Sequence, residues 1–252
     1  MLDFASDFLA LWAVIWVANA ALYFACGWAI MAHAKRHPER KIQTRRDGDG
    51  RVGVEIRESL RSIGITAACM ALAIALTLNG LTLWAPLTGW WGVVAGAAMV
   101  ILGYDLYYYW AHRLLHTKRF KHLHRLHHQS LAPTAWSADS QSPGETFIVQ
   151  SFMIWAAILL PIAPLAFVLH RLYDHISAQL GHCGYEFFAD RTTRAPSPMV
   201  CTTFHDQHHE LYNFNYGNYF SLWDRVHGTL HPEYDGLVDK WSAKPESPAR
   251  SE

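Results

Sequence analysis

Residues 62–104 read SIGITAACMALAIALTLNGLTLWAPLTGWWGVVAGAAMVILGY, 43 residues without a charged side chain or a histidine. A bilayer core about 30 Å thick takes about 20 apolar residues per helix, so this stretch is long enough for two spans. Ala85-Pro86-Leu87-Thr88-Gly89 joins them, with Trp84, Trp90 and Trp91 placed as in an interfacial aromatic belt. Phe8 to Ala32, 25 residues without a charge, makes a further span. It is too long for a cleaved signal peptide, follows Asp3 and Asp7 rather than a basic start, and ends in no small-residue cleavage pattern. A soluble protein of this size rarely needs helices apolar on every face. The expected spans are about 8–32, 62–84 and 90–111 of a polytopic, all-α membrane protein.

The rest of the composition agrees. Of 252 residues, 51% are hydrophobic and 17% charged, against roughly 25% charged in a soluble domain. Lysine plus arginine equals aspartate plus glutamate at 21 each, so no net basic field is available for nucleic acid. No linker and no internal repeat divides the chain, and residues 1–252 read as one domain. Cys26, Cys69, Cys183 and Cys201 have neither close pairing nor CxxC spacing, and packing is their expected use. Lys35, Arg36, Arg40, Lys41, Arg45, Arg46, Arg51, Arg57 and Arg61 lie between the first two spans, and Arg113, Lys118, Arg119, Lys121 and Arg125 follow the third. The positive-inside rule makes both clusters cytoplasmic and the N-terminus external.

Sixteen histidines are the other anomaly. Eight form three groups: His112-Arg-Leu-Leu-His116, His124-Arg-Leu-His127-His128 and His205-Asp-Gln-His208-His209. On a helix, positions i, i+3 and i+4 share a face, so each group is expected to aim its imidazoles at a common point. Neutral imidazole is a good ligand for first-row metals, and eight suit two ions with about four ligands each. His182 is a candidate ninth ligand. His175, seven residues earlier, is open between ligand, proton relay and pore lining, and His170 is expected to be structural. His122, His33, His37, His227 and His231 are expected outside the cluster. Asp105 lies two turns before His112 and is the only charge in the third span. It is either an interfacial carboxylate met by water or, as expected here, a carboxylate that holds a histidine ring.

Thr146 to Leu169 is also apolar but carries Pro161 and Pro164. A single crossing would separate the histidines before it from those after it. A shared metal centre therefore requires a hairpin, about 145–160 and 164–183, broken at the prolines. Residues 112–144 and 184–235 then form a cytosolic helical cap that carries the metals, and the C-terminus is cytoplasmic.

The ordered set from Asp105 through His112, His116, His124, His127 and His128, then Gly181-His182-Cys-Gly-Tyr-Glu, then His205, His208 and His209, closing with Asn215 to Thr229, resembles the fatty acid hydroxylase / sterol desaturase superfamily. The resemblance runs from about residue 90 to 235. It implies an integral membrane oxygenase in which the eight motif histidines and His182 hold two non-haem irons at the cytosolic face. Dioxygen and external electrons would serve to hydroxylate a lipid; desaturation and ether or methyl oxidation are the alternatives within the superfamily. Many relatives carry a histidine before Pro-x-Glu where this chain has Ser142-Pro143-Gly144-Glu145, which weakens transfer of substrate-channel detail. Trp223-Asp224-Arg225 and the Tyr/Asn-rich stretch before it fit a cap over the site.

No HPGG, CxxCH or GxGxxG motif is present, so a separate reductase, ferredoxin or small haem protein is the expected electron donor. A membrane cytochrome needs isolated axial pairs at membrane depth, and a transporter places its ligands midway along its spans. A zinc hydrolase is expected to show a glutamate base as in HExxH. A membrane zinc protein or metal transporter is the non-oxygenase alternative, and zinc is also a possible replacement for native iron.

Overall fold

In the computed structural model, which describes residues 4–243, the charge-free runs form helices α1 (Phe4–Ala34), α2 (Val52–Leu78) and α3 (Gly89–Leu115). All three are long and apolar enough to cross a membrane. Helix α2 is displaced toward the N-terminus from the expected 62–84. It stops early because Asn79 and Gly80 close it: Gly80 takes φ 66°, its N–H donates to the Thr77 carbonyl, and Leu81 N–H reaches back to Leu76. This is the glycine-terminated cap in which a left-handed residue satisfies the last carbonyls. It starts early because two of its charged residues face inward: buried Glu55 and Glu58 accept hydrogen bonds from Ser130 Oγ (2.5 Å) and Ser140 Oγ (2.7 Å).

The next helices are α4 (Lys121–His124), α5 (Pro143–Gln150), α6 (Phe152–Leu159) and α7 (Pro164–His182). Ser142 caps α5 through Glu145 N–H (3.2 Å), with Pro143 in the first turn. Pro164 likewise opens α7, where a missing N–H costs nothing. The α2–α3 connection is tied to the α6–α7 turn by Leu83 N–H to Ile158 O and Leu87 N–H to Pro161 O, both 3.0 Å. These turns mark one end of the bundle. The opposite end gathers the C-termini of α3 and α7 and the start of α5. Helix α3 therefore runs toward the histidine end, α5 and α6 run away from it, and α7 returns.

Packing along the bundle joins Met70 and Ile74 of α2, Val100 and Tyr104 of α3, Met153 of α6 and Phe167 of α7. Helix α1 is mostly bare, with Val14, Val17 and Trp28 all about two-thirds exposed. Its buried stripe is Asn19, Tyr23, Gly27 and Met31, one residue per turn. A Cβ on Gly27 would lie 2.7 Å from the Trp136 ring, so only glycine admits this approach. Tyr23 Oη donates to the Trp136 carbonyl (2.7 Å), while Gln179 Nε2 of α7 donates to the Tyr23 carbonyl (3.0 Å). Helices α8 (Thr202–Leu211), α9 (Leu222–His227) and α10 (Tyr234–Ser242) complete the histidine end around Cys201, Phe204, Tyr234 and Val238. All four cysteines are free.

Candidate metal centre

The nine expected histidines converge and divide into two groups. His112, His116, His124, His128 and His208 form one; His127, His182, His205 and His209 form the other, and within each group the candidate ligand nitrogens lie within 4.8 Å of one another. His112 and His116 come from the end of α3, His182 is the last residue of α7, and His205, His208 and His209 lie on α8. His124 ends α4, whereas His127 and His128 sit on a separate 3-10 turn, His127–Gln129. The second motif is therefore not one continuous helix.

The three motifs do not each serve one point, contrary to the expectation from their spacing. His124 and His128 join the first group while His127 joins the second; His205 and His209 join the second while His208 joins the first. Successive residues on a helix are about 100° apart. Adjacent imidazoles such as those of His208 and His209 therefore diverge, while residues four apart stay together. Each HxxHH motif thus spans both groups.

The ring tautomers decide what this arrangement can hold. His112 Nδ1 donates to the Tyr216 carbonyl (2.9 Å), His124 Nδ1 to Glu145 Oε1 (2.7 Å), His127 Nδ1 to Ser140 O (3.3 Å), His182 Nδ1 to Ala178 O (2.7 Å) and His208 Nδ1 to Phe214 O (2.7 Å). A neutral ring that spends its one N–H at Nδ1 presents a bare lone pair at Nε2. Yet the Nε2 atoms face each other: His112 and His124 at 3.1 Å, and His127 and His182 at 3.3 Å. His128 Nε2 is pressed against those of both His116 (3.2 Å) and His208 (3.1 Å), and His205 Nε2 against those of His182 (3.0 Å) and His209 (3.1 Å). In the His112–His124 and His127–His182 pairs, where both Nδ1 atoms are engaged, lone pairs at these distances repel unless a cation lies between them. Protonation is no remedy, because burial holds His116, His124 and His127 down at about 3 and drives His205, His208 and His209 well below the usual histidine value. The donor set fits two metal ions of the kind that imidazole binds.

Asp105 does not hold a histidine. Its Oδ1 accepts from the backbone N–H of Tyr219 (2.8 Å) and Phe220 (3.2 Å), and its Oδ2 from Trp223 Nε1 (3.1 Å). Nor is it water-facing, since it is 1% exposed. Two turns along α3 separate it from His112, and the 216–223 segment fills that space. Asp224 grips the same segment through Tyr216 and Gly217 N–H (2.9 and 2.7 Å). Together the two carboxylates fix the stretch whose Tyr216 carbonyl receives His112 Nδ1, and the Tyr216 ring lies 5.1 Å from that of His116.

The carboxylate that does hold a ring is Glu145, 1% exposed and 2.7 Å from His124 Nδ1. Its sequence signal is Ser142-Pro143-Gly144-Glu145, in which the Ser142 cap and Pro143 open α5 and place Glu145 in its first turn. His170 contacts Tyr219 Oη (3.1 Å), and His175 accepts from Arg171 (2.9 Å); neither belongs to the two groups. His33, His37, His122, His227 and His231 also lie outside them. Arg46 of the first basic stretch is clamped to α8 through Asp206 Oδ2 (2.6 Å).

A cavity of about 370 Å³ opens beside the four-histidine group, with His127, His182 and His205 in its wall. Leu180, Phe188 and Met199 supply apolar lining, while Asp139, Arg171 and Asp174 supply a polar patch.

A family model described as "Fatty acid hydroxylase" matches residues 97–229, more than half of the chain. The chain belongs to the fatty acid hydroxylase family. The matched segment contains all nine histidines and Glu145. Methylsterol monooxygenase 1 of Gallus gallus is 31% identical over 150 residues, 58% of this chain and 49% of that protein. Lathosterol oxidase of Rattus norvegicus is 29% identical over 150 residues, 57% of this chain and 48% of that protein. The Delta(7)-sterol 5(6)-desaturase ERG3A of Gibberella zeae is 25% identical over 227 residues, 88% of this chain and 62% of that protein. The chain spans about half the length of the curated relatives it matches. No solved structure matches.

Proposed function

We propose that the chain is a membrane-bound di-iron oxygenase that hydroxylates a C–H bond of a lipid. The observation that carries this reading is the pair of facing Nε2 contacts, His112–His124 at 3.1 Å and His127–His182 at 3.3 Å, in which both Nδ1 atoms are held by carbonyls or by Glu145. His112, His116, His124, His128 and His208 would hold one ion, and His127, His182, His205 and His209 the other. Iron bound there supplies dioxygen activation, with electrons from a separate reductase, ferredoxin or small haem protein. The chain's own residues do the rest. Tyr216, Ser140, Ala178 and Phe214 carbonyls fix ring orientation and tautomer, Glu145 raises the basicity of His124, and the cavity brings a lipid against the His127–His182–His205 wall away from bulk water.

Relatives named as a sterol monooxygenase, a sterol oxidase and a sterol desaturase support a lipid substrate. Desaturation is the second reading, favoured by the match that covers most of this chain. The two differ in where the substrate carbon is held, not in the ligand set. We place the N-terminus outside and the histidine end and C-terminus in the cytoplasm. The basic clusters support this, and the chain reversal at the prolines between α6 and α7, with α7 ending at the histidine end, supports a proline-broken hairpin within the membrane. Metal analysis of the purified protein together with lipid extracts from cells with and without it tests the function. The expected result is close to two irons per chain and a lipid that gains one oxygen; loss of two hydrogens favours the desaturase. Zinc alone, with no oxygen uptake after iron is restored, would refute both.

A further inference from the structure

A second cavity, about 510 Å³, lies between α1, α2 and the α5–α6 pair, and it shares no residue with the cavity beside the histidines. Trp12 and Trp16 form its α1 wall, stacked with ring centroids 5.7 Å apart. Each indole N–H is spent on an α2 carbonyl, Trp12 Nε1 on Gly64 O (2.9 Å) and Trp16 Nε1 on Leu60 O (3.4 Å), so the wall is fixed and presents ring carbon. Ala68 and Leu72 line the α2 side, and Phe147 and Ile154 the side opposite α1. Trp16 and Phe147 are 40% and 55% exposed, so the groove is open on its outer side. Because α1 and α2 are long and apolar enough to cross a membrane, what meets that opening is lipid.

Arg61 is the one charged residue in the described lining, and it stands on the side of the histidine end. Its Nη2 donates to Gln141 O (3.2 Å), just before α5, which leaves most of its N–H donors free. Arg57, one turn nearer the histidine end on the same face of α2, is exposed like Arg61. The arginine ion pairs among the described residues belong to Arg46, Arg51, Arg171, Arg194 and Arg225, so Arg57 and Arg61 have no carboxylate partner there. From Arg61 to Leu72 the helix rises about 16 Å at about 1.5 Å per residue, and one leaflet of a bilayer core about 30 Å thick is about 15 Å deep. The groove thus runs from a cation at headgroup level to the bilayer midplane. We propose that it holds one glycerophospholipid of the leaflet on the histidine side, an acyl chain along Trp12, Trp16 and Ala68 and a net-negative headgroup on Arg61 and Arg57. Guanidinium and phosphate match in geometry, whereas a zwitterionic headgroup would bring its own cation to two unpaired guanidiniums. No histidine lines the groove, so this lipid bridges α1 to α5 and α6 and is not the substrate.

Native mass spectrometry of the purified full chain tests this, with the chain released from nanodiscs that contain equal amounts of palmitoyl-oleoyl phosphatidylglycerol and palmitoyl-oleoyl phosphatidylcholine. One phosphatidylglycerol is expected to stay on each chain, retained roughly fivefold or more over phosphatidylcholine, because each arginine near an anionic headgroup adds several-fold to binding. In the double variant Arg57→Gln, Arg61→Gln the preference should fall to about twofold or less. Ala68→Phe keeps both arginines but fills the groove, and should lose the retained lipid. Equal retention of the two lipids by the wild-type chain, or a ladder of several bound lipids with no step at one, overturns the proposal whether or not the variants fold. A preference that survives both variants, each with the wild-type helix content, overturns it as well. None of these outcomes depends on iron or on product, so the lipid site and the oxygenase reading fail separately.

Discussion

Replacing Glu145 tests one of the two proposed ion sites. Its Oε1 lies 2.7 Å from His124 Nδ1 in a place 1% exposed, so the bond is shielded from water. Hydrogen bonds to charged groups contribute about 1.5–3 kcal/mol, against about 0.5–1.5 for neutral ones. Glu145→Gln keeps shape and an acceptor, so the loss of metal affinity should not exceed about 1 kcal/mol, or roughly fivefold. Glu145→Ala leaves the His124 Nδ1–H unpartnered and frees the ring, for a loss of about 2–3 kcal/mol, roughly 30–150-fold. Because His124 belongs to the five-histidine group, only one ion should weaken. Competition titration of the purified chain against a chelator of known affinity reads both sites. An alanine variant with the wild-type helix content and both affinities within twofold of wild type would show that Glu145 does not hold a ligand.

Further outcomes follow from the same geometry. His208→Ala removes a member of the five-histidine group and His205→Ala one of the four; each should lower metal content from two ions per chain toward one, and loss of both ions from either variant would mean a single shared site. In the metal-free protein, His116, His124 and His127 are neutral down to about 3 when folded, whereas the ordinary histidine value is 6.5. Below about 6.5 the unfolded chain takes protons that the folded chain does not, so stability is lost as pH falls from about 6.5 toward 3, by about 1.4 kcal/mol per pH unit for each ring. Thermal melts of chelator-treated protein should show Tm falling steeply from pH 7 to 5; a flat profile would contradict neutral buried rings. Gly27→Val drives a side chain into Trp136, already 2.7 Å from a bare Cβ, and should cost about 1–3 kcal/mol through overpacking. An unchanged Tm would show that α1 is not seated on the 135–137 turn.

The spans were legible because a bilayer demands length and apolarity, which are properties of the chain alone. Residues 62–104 and 8–32 carry both, and α1 and α3 closely follow the expected ranges. The start of α2 was not legible. Nothing local marks Glu55 and Glu58 as buried; their partners, Ser130 and Ser140, lie far along the chain. The nine histidines were legible as a set, because HxxxH and HxxHH spacing is local and the resemblance supplied His182.

How those nine divide was decided only by the tertiary structure. Spacing alone groups residues by motif, but the step of about 100° between neighbours on α8 sends His208 and His209 toward different partners, and the 3-10 turn parts His127 from His128. The carboxylates show the same division of labour: Asp105 shares a helix with His112 yet clamps residues 219–223, while Glu145, 21 positions from His124, holds the ring. Sequence by itself determined which residue types were available and which helices a membrane would accept. Which nitrogen met which oxygen depended on the chain's return through α5, α6 and α7, because hydrogen bonds and lone-pair contacts are set by distances of about 3 Å between segments far apart along the chain.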